Sequence, residues 1–172
     1  MKGTIVKCLQ ELVVEKFGKD KWDAVLNKVE GMPKLIMPIA DIPDAMVMQA
    51  VGATCEVLGI TLQQAADAFG DYWVNVYAQK MYPEFFKNRK TAKEFILAMD
   101  AVHDVATKNM EHAHPPRFKY EWKDPKTLFF HYTSSRNLID FAVGLLKGVA
   151  RFYKENLKVT KLSDQIVEII FP

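Results

Sequence analysis

Residues 91–122 read TAKEFILAMDAVHDVATKNMEHAHPPRFKYEW, and the pattern of apolar residues changes at Pro115–Pro116. Before the two prolines, apolar side chains recur over about 91–110 with the period of an amphipathic helix. After them, polar and aromatic side chains alternate over 117–122, which is typical of a half-buried strand. A helix, a double-proline break and a strand in succession predict an α+β fold.

The same reasoning assigns the rest of the chain. Upstream we expect four helices, over 3–17, Lys21 to about Val29, 44–58 and 61–80. Between the second and the third, the prolines should make 32–43 irregular. Downstream we expect a strand over 127–132 that pairs with 117–122 in a hairpin, and then a helix over 137–154. Two short strands, near 157–162 and 165–171, should end the chain. The prediction is one domain over 1–172, in which a helical N-terminal part packs on a C-terminal antiparallel sheet with a helix.

Composition excludes several classes of protein. The 172 residues carry 23 Lys and Arg against 21 Asp and Glu, and the two signs are interleaved, so no basic face for nucleic acid is expected. The N-terminal segment is too polar for a signal peptide or a membrane span. Cys8 and Cys55 lie apart within helical patterns and are expected to be buried free thiols. A reducing cytoplasmic setting is the expectation.

His103 is the first candidate for chemistry, because it lies within the apolar stripe of the helix over 91–110. A neutral imidazole that faces a dry pocket can be an axial ligand of haem iron. From the residue alone, a buried histidine satisfied by a hydrogen bond is the more common situation, and both interpretations stay open.

A second candidate follows the hairpin at Tyr132, Ser134 and Arg136. If the strand continued through them, the two hydroxyls and the guanidinium would lie on one face, roughly 6–7 Å apart at each step. Such a row of donors suits carboxylates. The spacing alone is also compatible with a turn at the sheet end that leaves the arginine exposed.

The sequence has no Walker motif, dinucleotide-binding glycine motif, HExxH, nucleophile elbow or CxxC, and His112, His114 and His131 form no recognisable metal spacing with His103. Hydrolase and transferase chemistry therefore has no support, and we do not expect an enzyme.

Together these residues resemble the H-NOX family (haem-nitric oxide/oxygen binding domains), which includes the haem domain of soluble guanylate cyclase and bacterial stand-alone gas sensors. The resemblance spans essentially the whole chain in an ordered set of matches. These are Met1–Val6, Ala68–Trp73, Met99–His103, Pro115–Pro116, Tyr132-x-Ser134-x-Arg136 and Gly144–Gly148.

The resemblance implies haem b buried between the helical part and the sheet. His103 matches the iron's proximal ligand, and Tyr132, Ser134 and Arg136 match the triad that holds the haem propionates. Pro116 matches a proline that presses on the porphyrin. Ile5 and Leu145 match further apolar contacts to the macrocycle.

The resemblance also bears on which gas binds. Phe141 matches the position where oxygen-binding members have a donor tyrosine, and Leu9 and Trp73 match positions of the supporting polar network. Since Phe141 and Leu9 donate no hydrogen bond, the pocket is expected to favour nitric oxide and carbon monoxide over oxygen. The Trp73 indole and the hydroxyl of Tyr77, which matches a distal apolar position, keep an oxygen-binding alternative open.

The family mechanism implies that nitric oxide weakens the iron–His103 bond and shifts the domain against a signalling partner. In relatives, that partner is a histidine kinase, a cyclic-di-GMP enzyme or a chemotaxis receptor. Two rivals are a haem enzyme, for which the distal positions lack an acid–base pair, and a haem-free interaction module, against which His103 and the complete triad argue.

Overall fold

The computed structural model describes all residues 1–172 and divides into two units, Met1–Ala65 and Ala66–Pro172. The α+β class expected from the sequence is confirmed, because helices precede a four-stranded antiparallel sheet. No single helix is long and apolar enough to cross a membrane, and Asp44–Leu58 and Leu62–Met81 meet that criterion only when taken together.

The first unit contains α1 (Gly3–Phe17), α2 (Lys19–Leu26) and α3 (Asp44–Leu58). Gly18 ends α1 at φ 96°, which a residue with a Cβ rarely adopts, so the predicted glycine cap is confirmed. The stretch 32–43 is irregular as expected, and its carbonyls at Pro38 and Ala40 accept the Thr4 and Gly3 N–H groups at 2.8 and 2.7 Å. These bonds satisfy amides that the first turn of any helix leaves unpaired.

The second unit begins at Ala66, within α4 (Leu62–Tyr72). A π-helical segment (Trp73–Tyr77) and α5 (Ala78–Met81) continue α4, so the single α-helix predicted over 61–80 is interrupted by a π segment. Such segments admit an extra residue per turn, which periodicity in a sequence does not reveal. Gln79 donates from Nε2 to the Val74 carbonyl at 3.0 Å and satisfies an acceptor within the segment.

The prediction of a single helix over 91–110 is also wrong. After a 3₁₀ turn (Pro83–Phe85), the structure has α6 (Ala92–Leu97) and α7 (Met99–Thr107), separated at Ala98. Thr91 caps α6 by accepting the Glu94 N–H.

The sheet comprises β1 (Arg117–Trp122), β2 (Thr127–Thr133), β3 (Lys158–Lys161) and β4 (Ile166–Ile170) in the order β1-β2-β4-β3. Helix α8 (Ile139–Tyr153) lies between β2 and β3 in the chain. Its apolar side and the inner face of the sheet form one core, and each large apolar side chain buried there contributes about 1.5–3 kcal/mol. The buried members of this core include Leu128, Phe130, Val167, Ile169, Ile139, Val143, Leu146 and Val149.

Both cysteines are free, as predicted, but only Cys8 is fully buried, and Cys55 is half-buried. Burial raises the pKa of the Cys8 thiol far above its usual range, so this group stays protonated and unreactive.

Candidate functional site

His103 lies at the middle of α7 with its ring half-buried. Burial lowers the pKa of His103 below its usual value, and the nearby Pro116 carbonyl and Asp100 carboxylate oppose that effect. Nδ1 is buried and makes no hydrogen bond, so the Pro116 carbonyl is close without completing one. The lowered pKa favours a neutral imidazole, and its Nδ1 makes no hydrogen bond, unlike the hydrogen-bonded core histidine that the sequence also allowed.

Phe118 connects His103 to the sheet. Its ring centroid lies 5.2 Å from that of His103, 4.6 Å from Phe130 and 6.2 Å from Tyr132. Phe118 and Tyr132 are also register partners in the β1–β2 pairing. Phe118 therefore lies in ring contact with both His103 and Tyr132.

The strand geometry considered for Tyr132, Ser134 and Arg136 is not observed beyond β2, which ends at Thr133. The chain turns there, and Ser134 Oγ accepts the Arg136 N–H at 3.2 Å, which is the turn that the spacing also allowed. The triad is nevertheless gathered at one end of β2, because the buried Tyr132 hydroxyl accepts the Leu138 N–H at 3.2 Å across the same turn.

These three side chains retain the chemistry of a carboxylate site. The Tyr132 and Ser134 hydroxyls each use a lone pair for the turn, which leaves their protons to donate. The half-buried Arg136 guanidinium donates to the His114 carbonyl, in the segment between α7 and β1. A guanidinium has five N–H donors, so further bonds remain possible. Arg136 therefore lies next to the segment that joins His103 to the sheet.

A second group of aromatic rings lies where α4, the π segment and α8 meet. Phe69 stacks on Trp73 at 5.8 Å and meets Phe141 edge-on at 5.4 Å. Trp73 in turn stacks on Tyr77 at 5.3 Å, and Tyr77 is only 2% exposed. Three of the sequence-predicted distal positions, Trp73, Tyr77 and Phe141, are thus brought together by ring contacts.

The approach of α4 to α8 sets the position of Phe141 and Leu145. A Cβ at Gly144 would lie 2.1 Å from the Ala66 carbonyl oxygen, so only glycine permits this crossing. Ion pairs Lys147–Asp67 at 2.7 Å and Arg151–Asp71 at 2.9 Å join the same helices. Leu145 is half-buried and packs, like Trp73 and Phe118, against the core of this unit.

Ile5 and Leu9 belong to the first unit, where they lie one turn apart on α1. Ile5 is half-buried and Leu9 is 5% exposed.

The sequence reasoning did not identify Phe118, Asp100, Arg117 or Tyr120 as parts of the site. Asp100 Oδ1 accepts the Phe118 N–H at 2.8 Å, and Arg117 donates to Asp100 and, at 3.2 Å, to Asp104. Burial would raise the pKa of Asp100, but the Phe118 N–H and the Arg117 guanidinium hold it below its usual range. The spacing of Asp100 three residues before His103 was the available signal, since residues at i and i+3 share a helix face.

The donor set fits an iron that arrives within a macrocycle. No group of three or more His, Cys, Asp or Glu side chains could hold a bare metal ion. A lone neutral imidazole, a carboxylate-binding cluster and aromatic walls are what a haem with two propionates needs. The residues present therefore fit haem.

Comparison with known proteins agrees with this assignment. The Haem-NO-binding family (HNOB) matches residues 2–161. The soluble guanylate cyclase gcy-35 of Caenorhabditis elegans is 24% identical over 172 residues, which are 96% of this chain and 25% of the relative. The chain therefore spans about a quarter of that curated relative.

Solved structures give the same result. A Cs H-NOX variant with the unnatural amino acid 4-cyano-L-phenylalanine is 27% identical, with a TM-score of 0.89 over 99% of this chain and 96% of that one. An oxygen-binding H-NOX domain related to soluble guanylate cyclases, solved as its oxygen complex, is 27% identical, with a TM-score of 0.84 over 99% and 95%. The chain belongs to the Haem-NO-binding family, the haem-binding gas-sensor (H-NOX) domains related to soluble guanylate cyclase.

Proposed function

We propose that this chain is a single haem b sensor domain for nitric oxide, which also binds carbon monoxide and excludes oxygen. His103 would bind the iron, and Tyr132, Ser134 and Arg136 would hold the propionates. Haem bound there would supply an iron able to take up a diatomic gas, and nitric oxide would weaken the bond between that iron and His103. The remaining roles belong to side chains of the protein.

The observation that carries the choice of gas is the Phe141 ring, packed edge-on against Phe69 at 5.4 Å. A bound dioxygen acquires negative charge and needs a hydrogen-bond donor in a dry pocket, whereas nitric oxide and carbon monoxide depend on one much less. Phe141 and Leu9 provide no donor. Tyr77 is held in a stack on Trp73, which favours a packing role for both rings.

Pro116 and the apolar side chains of Ile5 and Leu145 contact the macrocycle in this proposal. Pro116 lies directly before β1, and its carbonyl lies near the His103 ring. A proline with a fixed φ at this point is a stiff support.

The output in this proposal is a change of conformation that a signalling partner reads. A gas can shift the domain only if it binds the two conformations with different affinity. The partner class carried over from the family is a histidine kinase, a cyclic-di-GMP enzyme or a chemotaxis receptor in a cytoplasmic setting.

The test is the absorption spectrum of the reduced protein alone, in air and with nitric oxide. We expect no spectral change from oxygen and a five-coordinate nitrosyl spectrum with nitric oxide. A stable oxygen complex would instead identify Trp73 or Tyr77 as the donor and make the chain an oxygen-binding member. His103→Gly should respond to gas only with added imidazole, and a full response without imidazole would refute the ligand assignment.

A further inference from the structure

A tyrosine hydroxyl lies inside the break between α6 and α7. In a continuous helix the Asp100 N–H would bond to the Ile96 carbonyl. Here the Tyr120 hydroxyl accepts the Asp100 N–H at 3.3 Å and donates to the Ile96 carbonyl at 2.9 Å. A side chain inserted into the helix ladder is a known cause of a sharp break, so the hydroxyl accounts for the interruption at Ala98.

The sheet fixes the position of this hydroxyl. Tyr120 is on β1 opposite Phe130, and the two ring centroids lie 5.9 Å apart. Burial raises the pKa of Tyr120 to about 12, so the hydroxyl keeps its proton and can donate it at neutral pH. The inserted hydroxyl therefore belongs to a half-buried side chain of the sheet.

Three further contacts attach the first turns of α7 to the same strand. The Asp100 carboxylate accepts the Phe118 N–H at 2.8 Å and a guanidinium bond from Arg117. His103, one turn later, packs its ring on Phe118 at 5.2 Å. The helix that carries His103 is therefore attached to β1, while the backbone hydrogen-bond ladder that would continue α6 into it is interrupted.

We propose that Tyr120 is a positioning residue for His103 and acts through its hydroxyl. By holding the ladder open between Ile96 and Asp100, it lets Met99–Thr107 follow β1 rather than continue the axis of α6. The consequence is that α7 can move with His103 without carrying α6 along. This inference rests on the proposed role of His103 as the iron ligand.

The test compares the wild-type haem protein with Tyr120→Phe and Tyr153→Phe. Tyr153 is the matched control, because its buried hydroxyl makes no hydrogen bond and its ring packs on Phe95 at 5.9 Å. Two quantities are measured: the iron–histidine stretching frequency of the ferrous protein by resonance Raman, and the amide exchange rate of Asp100 by NMR of the carbon monoxide complex.

Without the hydroxyl, the Asp100 N–H and the Ile96 carbonyl can bond directly. In Tyr120→Phe the long 3.3 Å bond from the Asp100 N–H to the hydroxyl is replaced by a direct backbone bond, and we expect Asp100 exchange to slow by about twofold, the factor that corresponds to ~0.5 kcal/mol. We also expect the iron–histidine band to move by more than it moves in Tyr153→Phe.

An unchanged or faster Asp100 exchange in Tyr120→Phe would overturn the inference, because the hydroxyl would then not be holding the ladder open. An iron–histidine band that does not move beyond the Tyr153→Phe control would overturn it as well. The absence of any such band in the wild-type protein would instead refute the proposed role of His103, and both statements would fall together.

Discussion

The imidazole of His103 rests on the phenyl ring of Phe118, with the centroids 5.2 Å apart and the planes inclined by 43°. The same phenyl ring contacts Phe130 and Tyr132 of the neighbouring strand. Aromatic pairs at such distances contribute about 0.5–1.5 kcal/mol beyond the area that they bury. Phe118 thus packs between the sheet and the proposed iron ligand and supports the His103 ring.

Phe118→Leu should loosen this support. We expect a loss of about 1–1.5 kcal/mol in the free energy of unfolding by urea and faster loss of haem to a scavenging protein. Phe129→Leu is the control, because the register and the alternation of side chains place Phe129 on the opposite face of the sheet. Equal rates of haem loss in the two variants would show that Phe118 does not support His103.

Phe141→Tyr should change the choice of gas. A hydroxyl added at this position supplies the donor that the proposed nitric oxide pocket lacks, so the ferrous variant is expected to form a stable oxygen complex in air. Phe152→Tyr adds the same hydroxyl on the same helix, where the ring packs on Phe86 at 5.1 Å, and should not create oxygen binding. The absorption spectra in air distinguish the variants, and a Phe141→Tyr protein that still ignores oxygen would contradict the assignment of Phe141 to the distal pocket.

Gly144→Ala should be strongly destabilising, because its Cβ would lie 2.1 Å from the Ala66 carbonyl oxygen, and backbone cannot yield as a side chain can. We expect a loss of about 1–3 kcal/mol or more. Gly52→Ala, in the exposed interior of α3 with no heavy atom within 4 Å of the new Cβ, should gain about 0.5–1 kcal/mol. Urea midpoints measure both, and similar changes in the two variants would mean that the helix crossing is not tight.

Acid should remove the contribution that Asp124, in the β1–β2 turn, makes to the free energy of unfolding. Hydrogen bonds from Lys126 and Thr127 hold the pKa of Asp124 below its usual value, and both N–H groups lie 2.9 Å from Oδ1. A carboxyl whose pKa is lower in the folded state stabilises that state above the unfolded pKa of about 3.9, and this stabilisation is lost as the pH falls through the folded pKa.

Asp124→Asn keeps an acceptor but cannot titrate. The difference in unfolding free energy between wild type and Asp124→Asn should therefore stay constant at neutral pH and shrink below about pH 4. Urea unfolding over a pH series measures it. A difference that is the same at pH 3 and pH 7 would show that this carboxyl is not held by the turn.

Much of the secondary structure is local and was predictable from the residues. Apolar periodicity located α1, α3 and α8, and the alternation around Asp124–Pro125–Lys126 located the hairpin. The double proline marked the change from helix to strand, because proline removes a backbone donor and constrains the residue before it. The candidate site could be proposed from the sequence through the resemblance to the H-NOX family, whose ordered motifs include His103 and Tyr132-x-Ser134-x-Arg136.

Tertiary contacts decided what periodicity could not. The break between α6 and α7 comes from the Tyr120 hydroxyl, which enters the ladder from a strand 20 residues away. The π segment at Trp73–Tyr77 follows a helical pattern in the sequence and differs only in its hydrogen bonds. The turn at Ser134 replaces the strand because its hydroxyl accepts the Arg136 N–H.

The sequence by itself thus determined the fold class and most element boundaries, because these depend on side-chain chemistry and local spacing, and its resemblance to the H-NOX family supplied the residues proposed to bind haem. Only the tertiary structure decided how His103 is oriented and what supports it. Phe118, which contacts the His103 ring, and Tyr120, which we propose as a positioning residue, lie on β1, and their relation to His103 arises from the packing of β1 on α7 and from no regular interval along the chain.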